Sequence, residues 1–408
     1  MQNGLKRGMV CFLSLVLVAV LVAGCGGKQD GKVTITIGEI TDLSGVSAPN
    51  VAPLHYAVLD AARYYNEQGI IPGVNINVVS YDMKTDFARS LPGYDWVTGK
   101  GAKVIISVLG ETTETAKPFA QKDKVALLGL ATSTSLVEPP GWVFCLNSPS
   151  DYEIKTLLKW ISEKHWDYTK GTIPKIGMAA WEASIQVAVK KGAGEYCQAH
   201  TDKFQWVGGY LTPLGTMNWG GEVDRLKDCD YIIGGNLGPE NSTFMKEFQA
   251  KGYSTTFIGV SSLSSCSGFL MDSLGWQALD GTLSLGACPW WGEQSSVVDL
   301  AEELLHRYHP AQAEEIIHAG SGYEGGFHNA LEVMEILQKA IEEVGAENFD
   351  GQAFYNAAVK YKVSWEGYAG WSFSETKRYL VDQTLVFEWS AGAKDLVRVG
   401  GWLPVVTE

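Results

Sequence analysis

The chain has 408 residues, 32 of them basic and 46 acidic, with a formal net charge of −14 and a mean hydropathy of −0.02. That balance excludes a nucleic-acid partner, whose phosphates call for clustered Lys and Arg. The length exceeds what one hydrophobic core fills and predicts two folded units.

Residues 1–24 have the parts of a secretory signal: Lys6 and Arg7, an apolar run over 9–23, and Gly24 as the small residue before a cleavage point. The run falls short of the ~20 apolar residues that span a bilayer. Leu21-Val22-Ala23-Gly24-Cys25 resembles the lipobox of bacterial lipoproteins. The resemblance implies cleavage before Cys25, a lipid anchor on that cysteine, and a polar tether over 25–32 outside the cell membrane.

From residue 33 onward, short β-rich runs alternate with amphipathic stretches, the pattern of an α/β fold with parallel sheets. Strands are predicted at 33–37, 74–79, 103–108 and 125–129, with a helix over 52–67 after the first. Asn147-Ser148-Pro149-Ser150-Asp151 offers a Ser/Asp cap for a helix at 152–163 and marks a crossing between units. A second series follows: strands at 175–180, 206–211, 231–235, 256–260 and 282–285, with helices at 184–199 and 240–251. Beyond Pro289 come a helix at 297–308 and a longer one carrying Phe327, Ala330, Leu331, Met334, Leu337 and Ile341 at helical spacing. The tail is strand-like around Val386-Phe387 and again at 397–402. The expected units are 33–147 with 290–380, and 148–289 with 381–408.

Several short stretches, in order, carry a family resemblance: Leu43-Ser44-Gly45, the Asn66 to Gly73 turn, Tyr81-Asp82, Gly110-Glu111-Thr112-Thr113, Ala131-Thr132-Ser133 and the crossing that ends at Asp151. Over nearly the whole mature chain the sequence resembles the type I solute-binding lipoproteins of ABC importers, the branched-chain amino acid or amide group often called Leu/Ile/Val-binding-like. The resemblance implies two Rossmann-like lobes joined by a multi-strand hinge, a small-molecule ligand held between them, and a membrane permease as partner. It places the ligand against Ser44, Gly110, Glu111, Thr112, Ala131, Thr132 and Ser133 of the first lobe, and against Trp181, Ile185, Asn236 and Ser261 of the second. Tyr323, at the start of the long helix, is a further cleft candidate.

One departure bears on the ligand. Amino-acid binders of the family carry an acidic side chain just after the fourth strand of the second lobe, whereas this chain has Val260-Ser261-Ser262. A buried ammonium without a partner is costly. The expectation therefore shifts towards amides, ureas or aromatic acids, with Glu111 as the one carboxylate that would rescue a cation. The 14 Trp, 17 Tyr and 14 Phe suit flat, apolar or cationic ligands.

Motifs for catalysis or a cofactor are lacking: no HExxH, GxSxG, Walker loop or well-placed GxGxxG occurs. The expectation is a binding protein without cofactor or enzyme activity. His306 and His309 with Glu302 and Glu303 share a helix and read as a solvated face rather than a metal site. Cys197 with Cys229 and Cys266 with Cys288 are candidate bridges, and buried free thiols, Cys145 included, are the alternative. A ligand-sensing subunit of a membrane receptor and an extracytoplasmic hydrolase remain as other readings.

Overall fold

The computed structural model describes residues 31–408 except 131, 366 and 369. Cys25 and the leader lie outside the described residues. Among the described residues no helix is long and apolar enough to cross a membrane.

The first sheet contains β1 (Val33–Thr41), β2 (Val74–Asp82), β3 (Val104–Ser107), β4 (Ala126–Gly129) and β5 (Val143–Cys145). Its order is β2-β1-β3-β4-β5 and every pairing is parallel. β3, β4 and β5 are buried at every position, which is why they read as continuous apolar runs without alternation. Helices cover both faces. On one face Ala48–Gln68 packs against the long helix Gly322–Val344. Gly326 permits the approach, since a Cβ there would sit 2.9 Å from Leu54 Cγ.

The second sheet contains β6 (Lys175–Trp181), β7 (Gln205–Thr212), β8 (Tyr231–Ile233), β9 (Thr256–Gly259) and β10 (Leu283–Gly286), followed by β11 (Gln383–Ser390), β12 (Asp395–Arg398) and β13 (Leu403–Pro404). Its order is β12-β11-β10-β9-β8-β6-β7, with β13 against β11. β6 to β10 are parallel, while β11 runs antiparallel to both β10 and β12. The sheet is thus mixed: the tail returns as a hairpin through a tight turn at 391–394, and a short turn can join only antiparallel strands.

Each sheet with its helices has apolar cores on both faces and is called a lobe below. The chain passes between the lobes three times, at 146–149, at 287–295 and at 380–382, where Cys145 pairs with Tyr379 just before the last passage. The first passage differs from its predicted form. The helix begins at Ser150 after Pro149 without a side-chain cap; Asp151 instead accepts hydrogen bonds from Thr134 N at 3.0 Å and Thr134 Oγ1 at 2.6 Å.

Candidate functional site

The strand order of each sheet reverses once, between β1 and β3 in the first and between β6 and β8 in the second. Loops leaving the strands at such a reversal diverge and open a crevice. Both crevices face one cavity between the lobes, about 1430 Å³ of empty space counted out to its solvent-facing mouth. Ser47, Leu109, Gly110 and Glu111 line it from the first lobe, and Trp181, Ala183, Asn236 and Leu237 from the second.

Sequence-predicted residues divide into two groups. Gly110, Glu111, Trp181, Ile185, Asn236 and Ser261 all line the cavity. Trp181 is nearly buried there and donates its Nε1–H to the Thr216 carbonyl at 2.8 Å, while its backbone N–H donates to the Glu240 carboxylate. The others lie elsewhere. Ser44 is exposed and donates to Asp82 Oδ2 at 2.6 Å, because its loop folds back around Asp42, which accepts from Gly45 N, Ser47 N and Thr85 N; Gly45 has no room for a Cβ, which would lie 2.1 Å from Thr85 Oγ1. Ser47 reaches the cavity instead.

Thr112 turns inward to Ser90 Oγ at 3.3 Å, and Thr132 donates to Cys145 Sγ at 2.6 Å; both are buried in the first lobe. Ser133 pairs with Ser135 Oγ at 2.9 Å in a separate hollow beside Asp151 and Lys191. Tyr323 is fully buried in the helix packing and its hydroxyl donates to Asp60 Oδ2 at 2.7 Å. Its neighbour Gly322 faces the cavity, since adjacent residues on a helix point about 100° apart. Ala131 lies outside the described residues.

Glu111 has a role between the lobes. It accepts a hydrogen bond from Ser184 N at 2.6 Å, at the start of the helix Ser184–Ala199, where orphan N–H groups and the helix dipole favour an anion. Ser264 Oγ and Ser321 Oγ, 2.9 Å apart, make a second polar bridge between the lobes.

One cavity residue that the sequence pattern does not single out is Glu153. It stands on the Ser150–Trp160 helix and lines the cavity. Its carboxylate accepts from Ser261 Oγ at 2.8 Å and Ser261 N at 3.2 Å, so an acid occupies the neighbourhood of the family's usual one, delivered from a different element. Burial pushes its pKa up to about 7 against the lowering effect of the Ser261 hydrogen bonds. Its signal in the sequence was an acid among the apolar positions Tyr152, Ile154, Leu157 and Leu158. In a helix's first turn, however, an acid is ordinarily taken as a dipole partner.

No Lys, Arg or His lines the cavity among the described residues, whereas Glu111, Glu153 and Glu324 do. Asn50 Nδ2, Ser148 Oγ, Ser262 Oγ and Glu324 Oε1 are buried on the lining and lack a hydrogen-bond partner. Buried polar atoms rarely stay unpaired. All five described cysteines are buried free thiols. The pair His306 and His309 holds no common centre: His309 Nε2 meets Asp60 Oδ2 at 2.9 Å, and Glu303 pairs with Arg307.

A family model described as periplasmic binding protein matches residues 34–394. No curated protein sequence matches the chain. A branched-chain amino acid ABC transporter structure from Thermus thermophilus with bound valine is similar at a TM-score of 0.77 and 18% identity, over 91% of this chain and 97% of that one. A fatty acid ABC transporter substrate-binding protein from Thermomonospora curvata gives 0.74 at 16%, over 90% and 92%. An R. palustris solute-binding protein in complex with 4-hydroxybenzoate gives 0.71 at 18%, over 91% and 96%. At these identities the likeness is one of fold.

Proposed function

The chain belongs to the periplasmic binding protein family, and from that premise we propose that it is the extracytoplasmic solute-binding component of an ABC importer. It captures a small solute between lobes formed by 33–147 with 290–380 and by 148–289 with 381–408. The lobes close over the solute and present it to a membrane permease, with Cys25 as the lipid attachment. Its work is binding rather than turnover: the ligand shifts an open–closed equilibrium by its differential affinity for the closed form.

The observation that carries this reading is one interlobe cavity whose lining includes Asn50, Ser148 and Ser262, residues that each keep a buried polar atom without a protein partner. They come from both lobes, so a ligand that satisfies them holds the lobes together. Glu153 beside Ser261 supplies a carboxylate for a basic nitrogen. That reverses the weight placed on amides and aromatic acids and restores ammonium-bearing solutes, α-amino acids among them. Related folds hold valine in one case and 4-hydroxybenzoate in another, so the fold alone does not choose.

A thermal-shift and calorimetric screen tests the reading, with amino acids, amines, amides, ureas and aromatic carboxylates as probes. A ligand at 100 times its Kd stabilises the native state by about 2.7 kcal/mol. A saturable rise in Tm with one of these compounds, lost on Glu153→Ala or Asn50→Ala, is the expected result. Turnover of a bound compound, or saturable binding that is indifferent to both variants, would sink it.

A further inference from the structure

One group of side chains at the edge of the cavity has a chemistry that solute capture does not use. Cys288, just past β10 at the second interlobe passage, meets Glu324 and His328 of the Gly322–Val344 helix. One ligand atom from each lies within 4.8 Å of the others, and all three residues are buried. Among the described residues this is the one such trio. We propose that Cys288, Glu324 and His328 form a binding site for a divalent transition-metal ion of the zinc class, with its remaining coordination position open to the cavity.

The donor set fits that class. Zinc and its neighbours take thiolate, imidazole and carboxylate together, whereas calcium and magnesium require oxygen ligands. Tetrahedral bonds of about 2.0–2.3 Å put ligand atoms roughly 3.5 Å apart, so small side-chain rotations close the trio around an ion. Glu324 and His328 are one helical turn apart and share a face.

His328 is already in the required tautomer. Its Nδ1 lies 3.0 Å from the Glu324 backbone carbonyl, which can only accept, so Nδ1 carries the proton and Nε2 is left with the lone pair. Metal-bound histidines are held this way by a backbone carbonyl or carboxylate on the far nitrogen. Nε2 accepts from the Tyr368 hydroxyl, which must turn aside for an ion to take that lone pair.

An independent observation is an unpartnered buried oxygen. Glu324 is 1% exposed and its Oε1 has no hydrogen-bond partner. One turn beyond His328, Glu332 is equally buried and its Oε2 is likewise without one. No Lys or Arg pairs with either among the described residues. Burial holds both carboxyls in the neutral acid form, and an ion on Glu324 displaces its proton to solvent and supplies the partner that Oε1 lacks. Because Cys288 and Glu324 line the cavity, an ion enters from the cleft. On coordination the Cys288 thiol gives its proton to solvent and binds as thiolate.

The test is a cobalt titration of the full chain after chelator treatment, followed by absorption, because a thiolate on Co²⁺ gives a charge-transfer band. One saturable equivalent is expected, displaced by Zn²⁺. The band should vanish in Cys288→Ser and persist in Cys266→Ser, while Glu324→Gln and His328→Gln weaken binding about tenfold or more. Absence of a saturable band in the folded parent chain overturns the site, as does a band that survives Cys288→Ser. Should that variant fail to fold, the isosteric Glu324→Gln decides: unchanged cobalt affinity overturns the proposal. Co²⁺ and Zn²⁺ are the only probes, so the outcome is independent of which organic solute the cleft takes.

Discussion

Glu111 of the first lobe and Ser184 of the second are joined by a 2.6 Å hydrogen bond, carboxylate to backbone N–H, at the rim of the interlobe cavity. The acid sits on the positive end of a helix that belongs to the opposite lobe, so this bond exists only while the lobes are together.

Glu111→Ala should therefore favour the open form. A charge-assisted hydrogen bond at a helix terminus contributes about 1 kcal/mol, so ligand affinity should fall about fivefold. Small-angle X-ray scattering should show a larger radius of gyration for the unliganded variant. An unchanged radius together with unchanged affinity would deny Glu111 a part in closure.

Glu153 makes binding of an ammonium ligand pH-dependent. Its pKa is raised to about 7 by burial, so below that value the free protein carries the neutral acid, which a cation does not favour. Affinity should fall by up to about tenfold per pH unit below 7 and level off above 8. Glu153→Gln should remove the dependence and bind at the low-pH affinity. Calorimetry at pH 5.5 and 8 checks both, and a flat profile in the parent chain counts against the assignment.

Stability should also fall as pH rises through neutrality, levelling off once both carboxyls are ionised. Glu153 and Glu240 both have pKa values pushed up to about 7 by burial. A carboxyl whose folded pKa exceeds its unfolded one stabilises below the unfolded value, and that contribution is lost as pH climbs through the folded value. Between pH 6.5 and 8.5 the two should together cost about 1–2 kcal/mol, read as a lower Tm at pH 8.5. His328, held near 4 by burial, acts in the opposite sense but at lower pH: its contribution is lost as pH drops from about 6.5 towards 4. Glu153→Gln should flatten the alkaline slope.

Ser133 and Trp181 should part company under mutation. Ser133→Ala changes a hydroxyl that pairs with Ser135 outside the cavity, so ligand affinity should stay within about twofold of the parent's. Trp181→Ala removes a nearly buried indole and its hydrogen bond to Thr216, which should cost about 3–5 kcal/mol of stability as well as ligand contact. Trp181→Phe separates the two effects, keeping most of the packing while losing the hydrogen bond. Denaturant melts alongside calorimetry read them apart.

The α/β architecture was legible because apolar runs such as Val104 to Ser107 and Ala126 to Gly129 announce buried parallel strands, and punctuation by turns sets their spacing. The tail hairpin was visible as two strands, but nothing local says which sheet they join or in which direction. At the site, loop positions were legible and side-chain directions were not. Gly110 and Glu111 reach the cavity, while Thr112, the next residue on the same helix, turns about 100° away into the lobe. Tyr323 is lost for the same reason. Glu153 stayed hidden because its partner Ser261 is more than a hundred residues away in sequence. An acid in a first helical turn has a sufficient local explanation, and only the tertiary pairing reveals another.

The three passages between the lobes govern how the chain can be made. All five strands of the first sheet leave the ribosome early, yet the Gly322–Val344 helix that shares the core on one face of that sheet and the Tyr379 that pairs with Cys145 are synthesised much later. The second sheet waits as well, for β11 and β12. Neither lobe can close before nearly the whole polypeptide has emerged, so an apolar sheet face stays uncovered throughout synthesis and export. Truncation within the final thirty residues should thus yield an aggregating product rather than a shortened binding protein.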